Sequence, residues 1–228
     1  MRWGVVQFPG SCDERDALHA CGLTGEARLI WHEDRDLGQV DAIVVPGGFS
    51  YGDYLRAGAI ARFSPAMEAV TEFAAAGGPV LGICNGFQVL CEAGLLPGAL
   101  LRNEELRFIC RQVDLIVEGS VGEFGPLSGT KVADSSEGSE TLSIPVKHGE
   151  GRYWAPDDVL DEIEAKGQVA YRYAPGQNPN GSVRDIAGVR NEAGNVLGLM
   201  PHPEHAVDAL TGSMDGLRIF EAVAGARA

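Results

Sequence analysis

Apolar residues along the chain fall into two rhythms that take turns. Residues 3–8 form a short, nearly unbroken apolar run, closed by the turn Pro9-Gly10-Ser11 and followed by helical spacing over 13–21. Further short runs at 27–31 and 42–45 read as buried strands, the second ending in Pro46-Gly47-Gly48. SPAMEAVTEFAAAGG then has the marks of a helix: Ser64 as N-cap, Pro65 at the first helical position, Gly77 at the end, and an apolar stripe of Met67, Val70, Phe73 and Ala74. Residues 79–83 are the next strand, and a helix starts at Asn85. Strands alternating with helices predict βαβ units and a mainly parallel sheet.

Past residue 110 the rhythm changes. Runs at 113–117, 141–146 and 169–173 are strands with turn-rich joints. Residues 188–191 and 196–200 flank a turn at 192–195 and predict an antiparallel hairpin. A last helix is expected from Ser213, with Leu217, Phe220 and Val223 on one face. The Ser-, Gly- and charge-rich stretch 129–140 is expected to be the most mobile. No repeat, low-complexity tract or linker interrupts the chain, which reads as a single domain over 1–228.

Composition narrows the picture little. At 228 residues, 45% apolar and 22% charged, the chain is ordinary for a globular protein. Its net charge of −14 argues against nucleic acid or an anionic membrane as partner. No apolar stretch reaches the roughly 18 residues a membrane-crossing helix needs, and the N-terminus lacks a signal-peptide layout. Five cysteines, odd in number and without paired CxxC spacing, argue against a disulfide framework and a structural zinc site. A cytoplasmic protein with reduced thiols is expected.

Candidate chemistry changes it more. Cys84 stands where the apolar strand stops, between Gly82 and Gly86, at the start of a helix. Sheets of this kind gather active sites beyond the carboxyl ends of their strands. A helix N-terminus there stabilises negative charge on sulfur, and the amide of Asn85 is placed to meet a developing oxyanion. Cys91, seven residues on, reads as core. A thiolate hydrolase needs a base, and two pairs offer one: His148 with Glu150, and His202 with Glu204. Residues i and i+2 of an extended segment share a side. Pro201 and Pro203 fix the second pair and Gly149 loosens the first, so His202 is the expected base and Glu204 its orienting acid, with His148 in reserve. His202 and His205 form an HxxH, but no convincing third metal ligand accompanies them. Gly48 permits close backbone approach opposite the nucleophile, as a second oxyanion donor. Asp53 and Arg56 fit either a zwitterionic amino acid or a surface ion pair.

The PGG loop, the CxGxQ turn (Cys84, Gly86, Gln88) and the late HPE resemble the class I glutamine amidotransferases. GGFSYGDYLRAGAIA, GICNGFQVL, IPVKHGEGRY and NPNGS…GNVLGLMPHPE resemble its purine-biosynthetic branch across nearly the whole chain. The resemblance implies a flavodoxin-like α/β fold, a mostly parallel sheet flanked by helices with an added antiparallel hairpin region. It implies Cys84 as nucleophile with His202 and Glu204, Gln88 in contact with substrate glutamine, and the amides of Gly48 and Asn85 lining the oxyanion hole. It implies no cofactor or metal in this chain, with ATP and magnesium in a large synthetase subunit, a small accessory subunit beside it, and ammonia passed on to make formylglycinamidine ribonucleotide. The chain departs from the family at His205, where arginine is usual after HPE. Two readings compete: an elbow-cysteine peptidase or deglycase, which usually carries histidine where Asn85 stands, and a catalytically silent glutamine-sensing subunit.

Overall fold

The computed structural model of the chain describes residues 1–118 and 141–225, so the stretch 129–140 lies outside the described residues. In chain order the elements are β1 (Arg2–Gln7), α1 (Glu14–Gly22), β2 (Glu26–Trp31), β3 (Ala42–Val45), α2 (Pro65–Ala75), β4 (Val80–Ile83), α3 (Asn85–Glu92), β5 (Ala99–Leu101), β6 (Ile109–Val117), β7 (Thr141–His148), β8 (Arg152–Trp154), α4 (Asp157–Ala165), β9 (Val169–Tyr173), β10 (Ile186–Arg190), β11 (Val196–Leu199) and α5 (Leu217–Gly225). Nine strands form one sheet in the order β2-β1-β3-β4-β11-β10-β9-β6-β7. The first five are parallel neighbours and the last four pair antiparallel. A separate antiparallel pair joins β5 to β8.

The parallel half is apolar on both faces: all four residues of β3, β4 and β11 are buried, as sheets covered by helices on both sides require. α2 forms as its sequence dictates, with the Ser64 side chain accepting from the Met67 amide at 3.3 Å and Pro65 in the first turn. The expected hairpin is β10–β11, with Gly188 opposite Leu199. β11 also pairs in parallel with β4, Leu199 beside Ile83, and so welds the antiparallel half to the parallel one.

Three features differ from the reading of the sequence. α5 begins at Leu217 rather than Ser213, because the Gly216 amide bonds the Ala206 carbonyl and Ser213 bridges back to Asp208. α4 and the β5–β8 pair carry no clear signal: α4 buries only Leu160 and Ile163 in an acidic segment, and the two strands have three residues each. β6 starts at Ile109, its early residues being mostly exposed and therefore without an apolar pattern.

The parallel strands β3, β4 and β11 end together. The residues that follow them (Gly47-Gly48, Cys84 and His202) therefore meet at one edge of the sheet. β7 closes over that edge from the far end of the strand order, its Pro145 carbonyl accepting the His202 amide at 2.8 Å.

Candidate active site

Cys84 sits between β4 and α3 with φ 50° and ψ −104°, a strained geometry for a residue with a Cβ. Its amide bonds the Leu199 carbonyl at 2.8 Å and its carbonyl accepts the Gln88 amide at 3.1 Å, so neighbouring β11 and the first helical turn hold the strain in place. The flanking glycines have a steric cause. A Cβ at Gly86 would be driven into the Val45 carbonyl, and one at Gly82 into the Leu90 side chain. Gly86→Ala is accordingly expected to destabilise the fold by about 3 kcal/mol or more, while Gly22→Ala, with open space around it, is expected to leave the urea midpoint unchanged or raise it. A midpoint for Gly86→Ala equal to that of Gly22→Ala would contradict this account of the turn.

His202 is fully buried and its Nδ1 lies 2.6 Å from Glu204 Oε1. A carboxylate only accepts, so Nδ1 carries the proton in either charge state and Nε2 is left for chemistry. Among the described residues Nε2 has no partner of hydrogen-bond geometry, and neither has Glu204 Oε2. Burial pushes the imidazole toward its neutral form, but the Glu204 carboxylate and then the Cys84 sulfur more than offset this, and its pKa is raised. The site thus favours an imidazolium facing the sulfur, held slightly outside bonding geometry, as many bases are before substrate arrives. Cys21 and Cys91 present the opposite case, burial pushing both thiols far up.

Asn85 and Gln88 anchor the turn to the loop after β3. Asn85 Oδ1 accepts from the Ser50 amide at 3.0 Å and from its hydroxyl, and Asn85 Nδ2 donates to Gln88 Oε1 at 2.8 Å and to Asp53 Oδ1 at 3.2 Å. Gln88 Nε2 donates to the Glu150 carbonyl at 2.5 Å. Asp53 is raised to about 6, by burial first and then by the charge of Glu150. Arg56 does not join Asp53; it forms a two-pronged pair with Glu92 at 2.6 Å. Gly48 has φ 147° and bridges to Ser11, which holds the Gly47-Gly48 peptide against the loop after β1.

His148 does not pair with Glu150. β7 ends at His148 and the chain turns at once, so the alternation of an extended strand no longer applies. Its Nδ1 lies 3.1 Å from Asn103 Oδ1, burial and then the charge of His202 lower it to about 3, and Glu150 instead faces Arg102 at 3.5 Å. The structure therefore brings Cys84, His202 and Glu204 together and leaves His148 a neutral, hydrogen-bonded interior residue.

Two residues near the triad, Asp13 and Lys147, escaped the sequence. Asp13 Oδ1 is bonded to Lys147 Nζ and lies 3.2 Å from His205 Nε2, while its Oδ2 lies 3.7 Å from His202 Nδ1. Asp13, His202, Glu204 and His205 form a cluster of metal-ligand type, but the Lys147 ammonium already pairs with the Asp13 carboxylate. The one local signal was at Asp13, a residue of helix-capping type whose side chain caps nothing.

A cysteine on a strained strand-to-helix turn beside a histidine locked by a carboxylate defines an acyl-transfer hydrolase of the glutamine amidotransferase class. Residues 1–220 match the CobB/CobQ-like glutamine amidotransferase domain, and the chain belongs to that family. Among curated relatives it is 56% identical over 231 residues to phosphoribosylformylglycinamidine synthase subunit PurQ of Salinibacter ruber, covering 97% of this chain and 95% of that one. The PurQ of Nocardia farcinica is 59% identical over 224 residues, covering 97% and 96%. Among solved structures, PurLQS from Thermotoga maritima matches with a TM-score of 0.84 at 44% identity, over 97% of this chain and 96% of that one. A glutamine amidotransferase from the same organism, 14% identical with a TM-score of 0.59 over 100% and 97%, shares the fold alone.

Proposed function

We infer that the chain is the glutaminase subunit of a phosphoribosylformylglycinamidine synthase, hydrolysing glutamine and delivering ammonia to a synthetase subunit in purine biosynthesis. The curated relatives bear that enzyme's name over nearly their whole length, and the 44% identical chain belongs to PurLQS, so the partners are the other subunits of that complex. The observation that carries the chemistry is His202 held by Glu204 at 2.6 Å beside Cys84, at the joined ends of β4 and β11.

In this reading the Cys84 thiolate attacks the side-chain amide carbon of glutamine. The C=O pair moves onto oxygen, and the oxyanion is met by amides of the Gly48 and Asn85 segments. Collapse breaks the C–N bond, His202 supplies the proton that lets nitrogen leave as ammonia, and a glutamyl thioester remains. Neutral His202 then takes a proton from water, whose oxygen attacks the thioester; glutamate leaves and the thiolate and imidazolium return. Glu204 stays ionised throughout and balances the imidazolium. Gln88 is assigned to the glutamine-binding side of the turn. ATP and magnesium belong to the synthetase subunit. We place the protein in the cytoplasm, in keeping with described helices none of which is long and apolar enough to cross a membrane.

The test is amidine formation by the chain with its partner subunits, supplied with formylglycinamide ribonucleotide, ATP and glutamine. One glutamate released per amidine is expected. Glutamine left intact by the complete complex would overturn the reading.

A further inference from the structure

We propose that Asp13 is a positioning residue for glutamine hydrolysis, clamped by Lys147 and His205 so that one loop fixes both the base and the oxyanion peptide; the proposal rests on the amidotransferase reading. The loop between β1 and α1 touches both halves of the machinery. The amides of Cys12 and Asp13 each donate to the Gly47 carbonyl at 3.2 Å. A trans peptide is planar, so a Gly47 carbonyl held toward this loop turns the Gly48 N–H away from it in a fixed direction. A Cβ at Gly47 would strike Asp13 Oδ2 and approach His202 Cε1, which shows how closely loop, oxyanion peptide and base abut.

What holds the loop is the Asp13 carboxylate. It is buried yet caps no helix; Oδ1 binds Lys147 on β7 and faces His205 after the HPE segment, and Oδ2 faces His202. β7 is itself part of the site wall, with the Lys147 carbonyl 3.9 Å from the Cys84 sulfur and the Pro145 carbonyl on the His202 amide. The hydrogen bonds and charges of His205, His202 and Lys147 outweigh burial and hold Asp13 ionised. His205 thus supplies one of its donors.

The clamp also sets charge. The groups facing His202 are Glu204 and His205 on its own segment, Asp13 from the β1–α1 loop, Cys84 from the nucleophile turn and His148 from β7, while Lys147 on β7 faces Asp13, Glu204 and Cys84. Asp13→Asn removes a negative charge from this set and Lys147→Met a positive one. The pH limb belonging to His202 therefore moves in opposite directions, to lower pH in the first variant and higher in the second.

The experiment measures both variants in the complete complex, with glutamine and with ammonium salt as nitrogen source. Asp13→Asn is expected to lower glutamine-dependent kcat about 10- to 100-fold with KM within about threefold, because an oxyanion donor and a base out of place act on the transition state. Ammonium-dependent synthesis is expected to persist in both. Lys147→Met, which leaves the His205 contact in place, carries the test if Asp13→Asn does not accumulate. A kcat within about twofold of wild type, pH limbs that shift the same way, or equal loss with both nitrogen sources would overturn the proposal. A wild-type complex that ignores glutamine would instead remove the reading beneath it.

Discussion

Cys84→Ala is expected to split the two activities of the assembled complex. Glutamine-dependent amidine formation should fall by about 10⁴-fold or more, as when the nucleophile of a triad is removed, while synthesis from ammonium salt at a pH that supplies free ammonia persists. The reason is local. The Cys84 sulfur faces the His202 ring and the Lys147 carbonyl inside this chain, and its part is confined to glutamine hydrolysis, from attack on the amide to release of glutamate. Alanine keeps the Cβ that already occupies the strained turn, and the backbone bonds of residue 84 to Leu199 and Gln88 do not involve sulfur. Fold and docking should therefore survive. Equal loss with both nitrogen sources, in a mutant that still binds its partners, would show that Cys84 acts beyond glutamine hydrolysis; full activity with glutamine would remove it as nucleophile.

The second large effect separates His202 from Glu204. His202→Asn removes the group that moves both protons of the cycle, a contribution on the order of 10²–10⁴ in rate. Glu204→Gln should cost about 10- to 100-fold less than His202→Asn, the pattern seen when the orienting acid of a triad is removed rather than its base. Here the structure adds a reason: Asp13 Oδ2, 3.7 Å from Nδ1, remains as a second negative charge. Both are read from steady-state glutamine hydrolysis by the complex. Should His148→Asn prove more damaging than His202→Asn, the base would be the other histidine, despite its bonds to Asn103 and its burial.

The legible parts of this protein were those whose cause lies within a few residues. GICNG announces a tight turn because Gly82 and Gly86 each answer a nearby clash, with Leu90 and with the neighbouring strand. PHPE announces a rigid base because two prolines restrict the backbone around His202. Paired strands such as β10 and β11 showed themselves by apolar runs flanking a turn. What stayed hidden depends on contacts that spacing does not encode. Asp13 and Lys147 are 134 residues apart and meet only because β7, at the far end of the sheet order, curls back over the ends of the parallel strands. His148 and Glu150 looked like a second catalytic pair, and only the end of β7 between them shows otherwise. Asp53 and Arg56 likewise parted, the arginine drawn to Glu92 on α3.

The central claim is that Cys84 is the residue to which glutamine becomes attached. A glutamine-analogue diazoketone carries the recognition groups of glutamine and alkylates a nucleophile placed at its side-chain carbonyl, so it reports binding and attack together. The measurement is incubation of the complex with this reagent, followed by digestion and mass mapping of every thiol. The account predicts one adduct, on Cys84, slowed by excess glutamine and missing from Cys84→Ala, with Cys12 and Cys110 unmodified although both are exposed. No adduct at Cys84, with or without the partner subunits, would contradict it.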